Sequence, residues 1–332
     1  MAEDFTWRDG ERLIRFGRGV AAEALGLLER EFAGYALLTT ERAVDSLPEL
    51  GDAAAAVIHV PPGLVDEISA ELLPLAEDRP LVAFGGGRVI DTAKAIAGVR
   101  GGPCAALPTT LSGAELTPFH RTPKGVAGAR LVRPSRVIAD PALMASHAPP
   151  ALAASALNAL AHGMEALYTP YTNPVATLAA LRGAELLAGG LDRDTPERDE
   201  LALGAVLAAY ASASTGIAVH HATCQSIVRT AGTAHAETNA VMLPHFARLM
   251  STRAPEAIEA LARAVGAHDS AGIGDRLAEL TALSGQTRLR ELGVHEEHLR
   301  AVAAAVQSHP ALAATPGAPT EAELLALLHG AL

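Results

Sequence analysis

A change in hydrophobic period near residue 150 constrains this chain more than any other feature. Before it, short apolar runs alternate with helical patterns. Residues 35–40, 53–60 and 80–84 read as buried strands, the second stopped by Pro61-Pro62-Gly63 and the third running into Gly85-Gly86-Gly87. Residues 20–32 and 64–76 read as amphipathic helices. Strand–helix alternation at this spacing implies a parallel sheet with helices on both faces. From about Pro149 the strand signals fade. Helical patterning alone continues through 151–168, 174–188, 196–214, 254–265, 274–284, 296–307 and 320–332. The expected fold class is an α/β N-terminal domain with a parallel sheet, residues 1–148, followed by an all-α C-terminal domain, residues 149–332.

Composition narrows the function. With 332 residues the chain can bury a sizeable core. Its 3% aromatic content and abundant alanine favour helices packed closely through small side chains. A net charge of −11 argues against a nucleic-acid partner, which needs a basic footprint. Cys104 and Cys224 suggest no disulfide framework. The acidic N-terminus lacks an apolar signal core, and no uncharged run reaches membrane-spanning length. The expectation is a soluble, cytoplasmic protein with no membrane partner.

Two stretches carry chemistry. Gly85-Gly86-Gly87-Arg88, with Asp91 and Lys94, follows a strand and opens a helix. Glycines allow positive φ and close backbone approach, and a helix N-terminus offers free amides and a positive dipole end. Such a turn suits a dinucleotide pyrophosphate, although a plain strand-to-helix turn uses the same residues. Asp91 and Lys94 either reach that ligand or pair on the surface. The loop from Leu107 to Thr117 adds Thr109, Thr110 and Ser112, hydroxyls suited to phosphate or ribose and equally to capped turns.

The second stretch runs from Asn158 to His245. Asn158 and His162 are four apart and share a helix face. His220-His221 and His235 follow, the last two fourteen apart, about four helical turns or one helix–turn–helix step. One amide and three imidazoles can serve a divalent transition metal. His162, His221 and His235 are expected to share a pocket, His245 to cap or pack, and the other histidines to lie on surfaces or loops.

Taken together in order, these motifs resemble the iron-containing (group III) alcohol dehydrogenase superfamily. Residues 14–19 are similar to its entry strand. The triple glycine with Asp91 and Lys94 is similar to its pyrophosphate loop, and Pro108-Thr109-Thr110 through Gly113, Glu115 and Thr117 to its second nucleotide loop. Asp140-Pro141, His162 with Glu165, His221, His235 and Leu243-Pro244 match its helical domain. Residues 158–168, His220-His221 with Cys224, and His235-Ala236-Glu237-Thr238 resemble the maleylacetate reductase branch.

The resemblance implies a nucleotide-binding domain, a helical domain, an active site in the cleft between them, and a homodimer. It implies hydride transfer from NADH or NADPH to the double bond of maleylacetate, giving 3-oxoadipate in aromatic degradation. The small-molecule substrate is then a carboxylated enone or an aldehyde. Implied catalytic residues are His162, His221, His235 and His220. Implied cofactor-binding residues are Gly85, Gly86, Gly87, Arg88, Asp91, Thr109, Thr110 and Lys124.

Some positions depart from the pattern. Asn158 stands where metal-dependent members have aspartate, which points to a metal-free site; if zinc or iron binds, Asn158, His162, His221 and His235 are the ligands. Gln225 replaces a histidine, Arg229 is a carboxylate clamp or a surface charge, and Lys124 is near the nicotinamide or a loop charge. Arg88 replaces a serine. Thr39-Thr40 stands where an acid would hold the ribose, so NADPH is accepted alongside NADH. Two other readings remain open at this stage: a metal-dependent alcohol or aldehyde oxidoreductase, and a diverged non-redox enzyme or ligand-binding protein on the same scaffold.

Overall fold

The computed structural model describes residues 3–332. The chain divides into two compact units, 1–146 and 147–332.

The first unit contains a seven-stranded sheet. Its strands are β1 (Phe5–Asp9), β2 (Arg12–Phe16), β3 (Ala36–Thr39), β4 (Ala56–His59), β5 (Leu81–Gly85), β6 (Cys104–Pro108) and β7 (Arg136–Ala139). They lie in the order β1-β2-β7-β6-β5-β3-β4, parallel throughout except for the antiparallel pair β1–β2. Its helices are α1 (Ala24–Leu28), α2 (Glu41–Val44), α3 (Pro48–Asp52), α4 (Val65–Leu72), α5 (Gly87–Arg100) and α6 (Pro141–Met144).

Successive side chains of a strand point to opposite faces, and here each face is covered. Leu38, Ala83 and Ala106 pack with Ile68 and Leu72 of α4 and Val89, Ile90, Ala93 and Ile96 of α5. Leu37, Val82 and Ala105 pack on the other face with Val20, Ala24, Leu28, Phe32 and Leu50. Burial on both faces is why these strands read as continuous apolar runs. The helix expected over 20–32 is instead a 3₁₀ turn, the short α1 and a second 3₁₀ turn (Arg30–Phe32). The break falls at Glu29, whose φ of 26° leaves helical geometry.

The second unit is all helical: α7 (Pro149–Ala166), α8 (Pro174–Leu191), α9 (Arg198–Thr215), α10 (Val219–Ala231), α11 (His235–Ser251), α12 (Pro255–Ala264), α13 (Ile273–Ala282), α14 (Glu296–Gln307) and α15 (Glu321–Ala331). α7 packs on α8, α9 and α11, and α10 packs on α11 and α14. Over 219–251 many polar residues obscure an apolar stripe in the sequence, and the chain there forms the two helices α10 and α11. No single helix among the described residues is long and apolar enough to cross a membrane.

α8 and α9 approach closely at a glycine pair. A Cβ on Gly183 of α8 would lie 2.9 Å from the carbonyl oxygen of Gly204 in α9, and one on Gly204 would lie 2.9 Å from the Gly183 carbonyl oxygen. Small residues let these backbones meet, which accounts for the alanine-rich, aromatic-poor composition. Gly204→Ala is therefore expected to destabilise the protein by about 1–3 kcal/mol through overpacking. Gly189→Ala, on the same helix pair but with open space around its Cβ, is expected to be neutral or to stabilise by up to about 1 kcal/mol. Urea unfolding of the two variants checks the contrast.

Candidate active site

The glycine-rich turn lies at the carboxyl end of β5. Chain order along the sheet reverses between β3 and β5, and such a switch point is where open α/β sheets bind ligands. The N-cap of α5 is Gly86, which offers no side-chain cap, so the first-turn amides are open to an anion. Gly86 has φ −78°, and none of the three glycines has positive φ. Space is what requires them. A Cβ on Gly86 would lie 2.9 Å from Thr110 Cγ2, and one on Gly87 would lie 2.9 Å from Ser112 Oγ. The loop after β6 is thus laid directly over the turn, and the Thr109 amide donates to the Gly85 carbonyl oxygen (3.0 Å).

Lys94 is neither a surface charge nor a free ligand group. It is fully buried, paired with Asp91 at 2.8 Å, and donates to the carbonyl oxygens of Ala114 (2.8 Å) and Thr117 (3.0 Å). Arg12, buried in β2, donates to the Leu116 carbonyl oxygen (3.1 Å). Two cations therefore hold residues 114–117 by their backbone. Between these contacts sits Glu115, fully buried, with neither carboxylate oxygen hydrogen-bonded. Burial raises its pKa to about 7.

Arg88 is exposed in the first turn of α5. Lys124 is exposed and paired with Glu67 at 3.1 Å. Thr39 Oγ1 donates to the Phe84 carbonyl oxygen (2.9 Å), and Thr40 caps α2 by accepting from the Ala43 amide. Both threonines are thus used within the fold, and no acid occupies the last position of β3.

In the second unit the spacing of Asn158, His162 and Glu165 places all three on one face of α7. His221 comes from α10, and its ring stacks on His162 with centroids 4.0 Å apart. His220 meets the His221 ring edge-on at 5.1 Å and Phe246 at 5.3 Å. His235 is the first residue of α11, exposed, and close enough for its charge to lower His162 and His221. The step from His221 to His235 is the helix–turn–helix alternative. Gln225 lies one turn beyond His221, and Arg229 is exposed in the last turn of α10.

Sequence reasoning passed over Glu165 as a site residue, although it stands three after His162 in the quoted motif. It is fully buried. Its Oε1 accepts from the backbone amides of His220 (2.8 Å) and His221 (3.3 Å), and its Oε2 lies 2.7 Å from His221 Nδ1. α10 has no side-chain cap of its own. Glu165 supplies one from another helix, and Thr315 Oγ1 accepts from the Val219 amide (3.0 Å). Ser212 of α9, also missed, lies 3.3 Å from His162 Nδ1.

Burial fixes the charge of these rings. It lowers both His220 and His221 to about 3, with the neighbouring imidazoles adding to it, and it lowers His162 well below its usual value. The three rings are neutral at neutral pH, so none contributes a standing cationic charge. Burial also raises Glu165, opposed by the nearby His220 and by the amides of Ala218 and His221.

Asn158 Oδ1 and His221 Nε2 are buried and have no hydrogen-bond partner. Atoms of this kind can ligate a cation. Among the described residues, however, no group of three or more His, Cys, Asp or Glu side chains is arranged to hold a metal ion, and Asn158 offers only a neutral amide. No chemical step below passes through a metal.

Residues 152–332 match the Fe-containing alcohol dehydrogenase family, C-terminal. Maleylacetate reductase 1 of Rhodococcus opacus is 33% identical over 323 residues, covering 90% of this chain and 89% of that protein. Maleylacetate reductase of Sphingobium indicum is 32% identical over 317 residues, covering 90% and 89%. This chain belongs to the iron-containing alcohol dehydrogenase family. It is an oxidoreductase of the maleylacetate reductase-like branch. The crystal structure of maleylacetate reductase from Agrobacterium tumefaciens superposes with a TM-score of 0.84 at 27% identity, covering 100% of this chain and 99% of that one. The enzyme from Rhizobium sp. superposes with a TM-score of 0.82 at 28% identity, covering 100% and 99%.

Glu115 sets a pH dependence of stability. Its folded pKa of about 7 lies above the ordinary carboxylate value of 4.5. The neutral form is thus favoured on folding, and this contribution is full below pH 4.5 and lost as pH rises through 7. Up to about 3 kcal/mol of stability is at stake. Glu115→Gln should flatten the fall in unfolding free energy between pH 5 and 8, measured by urea titration; an unchanged slope would contradict this assignment.

Proposed function

We propose that this enzyme reduces the carbon–carbon double bond of maleylacetate to give 3-oxoadipate, with NADH or NADPH as the reductant. The observation that carries this reading is the near full-length likeness to enzymes named maleylacetate reductase. The chemistry of both units supports it. In the first unit, the amides at the start of α5, with Gly86 and Gly87, fit a pyrophosphate, and Thr109 and Thr110 lie beside them. Arg88, exposed at the same helix end, adds a cation, and Lys124 serves the loop side.

The nucleotide, when bound, supplies the hydride. The chain's own residues then deal with the proton and with the substrate's polar groups. His162 and His221, neutral and stacked, act as hydrogen-bonding groups rather than as imidazolium ions. Asn158 Oδ1 and His221 Nε2 present acceptors that orient a proton donor, and this donor protonates the carbon next to the carbonyl as the enolate collapses. His220 and His235 complete the cluster. Holding the reactants in register supplies much of the rate. The homodimer and the acceptance of both nucleotides belong to this reading, as does a site that works without metal.

Maleylacetate-dependent oxidation of NADH or NADPH by protein purified without added metal is the direct test. His221→Ala should lower kcat on the order of 10²-fold or more and leave nucleotide affinity, read from the quench of Trp7 fluorescence, within about twofold. Unchanged turnover in that variant would remove His221 from the mechanism. Binding of neither nucleotide at millimolar concentration would remove the reductase reading itself.

A further inference from the structure

His221 Nδ1 lies 2.7 Å from the Glu165 carboxylate, and that contact spans 56 positions of sequence. The tautomer of a histidine follows from what its bonded nitrogen faces. Glu165 Oε1 already accepts two backbone amides, and its carboxylate lies at the N-terminal end of α10, where the helix dipole favours negative charge. An ionised carboxylate only accepts. The hydrogen between Oε2 and Nδ1 therefore belongs to the imidazole, and Nε2 keeps its lone pair. Consistent with this, Nε2 is buried and unpartnered.

Resting on the reductase reading above, we propose that Glu165 is a positioning residue for the reaction. It anchors the start of α10 and holds His221 as the Nδ1–H tautomer, so that Nε2 is presented as an acceptor. Two buried acceptors, His221 Nε2 and Asn158 Oδ1, then select a hydrogen-bond donor. That donor is a water molecule or a hydroxyl, and it carries the proton given to the substrate. Glu165 itself touches no reacting atom, because its hydrogen bonds go to the backbone at the start of α10 and to the His221 ring.

Glu165→Gln separates this role from simple packing, since shape is kept and one oxygen becomes a donor. With the amide oxygen retained on the two backbone amides, the NH₂ group faces Nδ1 and donates to it. The ring hydrogen then moves to Nε2, and an acceptor becomes a donor. The same logic makes a carboxylate-to-amide change beside a catalytic histidine costly in hydrolase triads, on the order of 10⁴-fold in kcat.

The experiment is long-range ¹H–¹⁵N correlation of the histidine rings in protein labelled with ¹⁵N-histidine, with His221→Gln used to assign the signal. The wild type should show His221 protonated on Nδ1 and bare on Nε2, and Glu165→Gln should show the reverse. The variant's kcat with maleylacetate should fall on the order of 10²–10⁴-fold, while NADH affinity stays within about twofold. A wild-type His221 that is protonated on Nε2, or doubly protonated, overturns the proposal. So does a variant whose ring pattern is unchanged or whose kcat stays within about threefold. If Glu165→Gln does not fold, the wild-type spectrum still decides. Absence of maleylacetate turnover by the wild type would sink the substrate assignment alone, because the ring pattern is read without substrate.

Discussion

The helical unit depends on one buried carboxylate. Glu165 has no access to solvent, and an ion so placed is costly unless its hydrogen-bonding capacity is met. It is met by two amides at the start of α10 and by the His221 ring. The same contacts answer a second problem, a helix N-terminus with no cap of its own. A single side chain on α7 thereby fixes where α10 begins and which way His221 faces. The stack of His221 on His162, and the edge contact with His220, follow from that placement.

The first unit uses a related device with the charges reversed. Lys94 is buried and directs its donors to Asp91 and to the carbonyls of Ala114 and Thr117. Arg12 takes the carbonyl between them in sequence. The loop after β6 is therefore held against the glycine turn mainly by its backbone, with Ser112 Oγ also accepting from the Ala114 amide (3.5 Å). The buried, unpaired Glu115 in that loop shows that the arrangement is not fully relaxed. Buried polar groups without partners are rare in folded proteins, and here several lie in the loop after β6 and in the histidine cluster.

Much of this was legible in the sequence, for definite reasons. Strands buried on both faces leave unbroken apolar runs, so β3 and β5 showed themselves at 35–40 and 80–84; β4, expected buried at 53–60, is instead an edge strand with only Ile58 buried. β1 is an edge strand of five residues with alternating exposure, too short to carry a period. α10 and α11 are rich in histidine, threonine and serine or asparagine on their buried sides, and the hydrophobic period was lost there. Glu29 carries no composition signal for the backbone break it makes.

The sequence by itself determined the fold class, the glycine turn at the end of a strand, and the helical spacing that brings Asn158, His162 and Glu165 to one face. Each of these follows from local periods and from residues next to one another in the chain. Only the tertiary structure decided that Lys94 is a buried brace, that the glycines are needed for space and not for positive φ, and that the rings of His162, His220 and His221 are neutral. Those properties depend on desolvation and on partners brought from other helices and strands, tens of residues away. The side chain that governs His221 lies 56 positions before it, and no local pattern records that distance being closed.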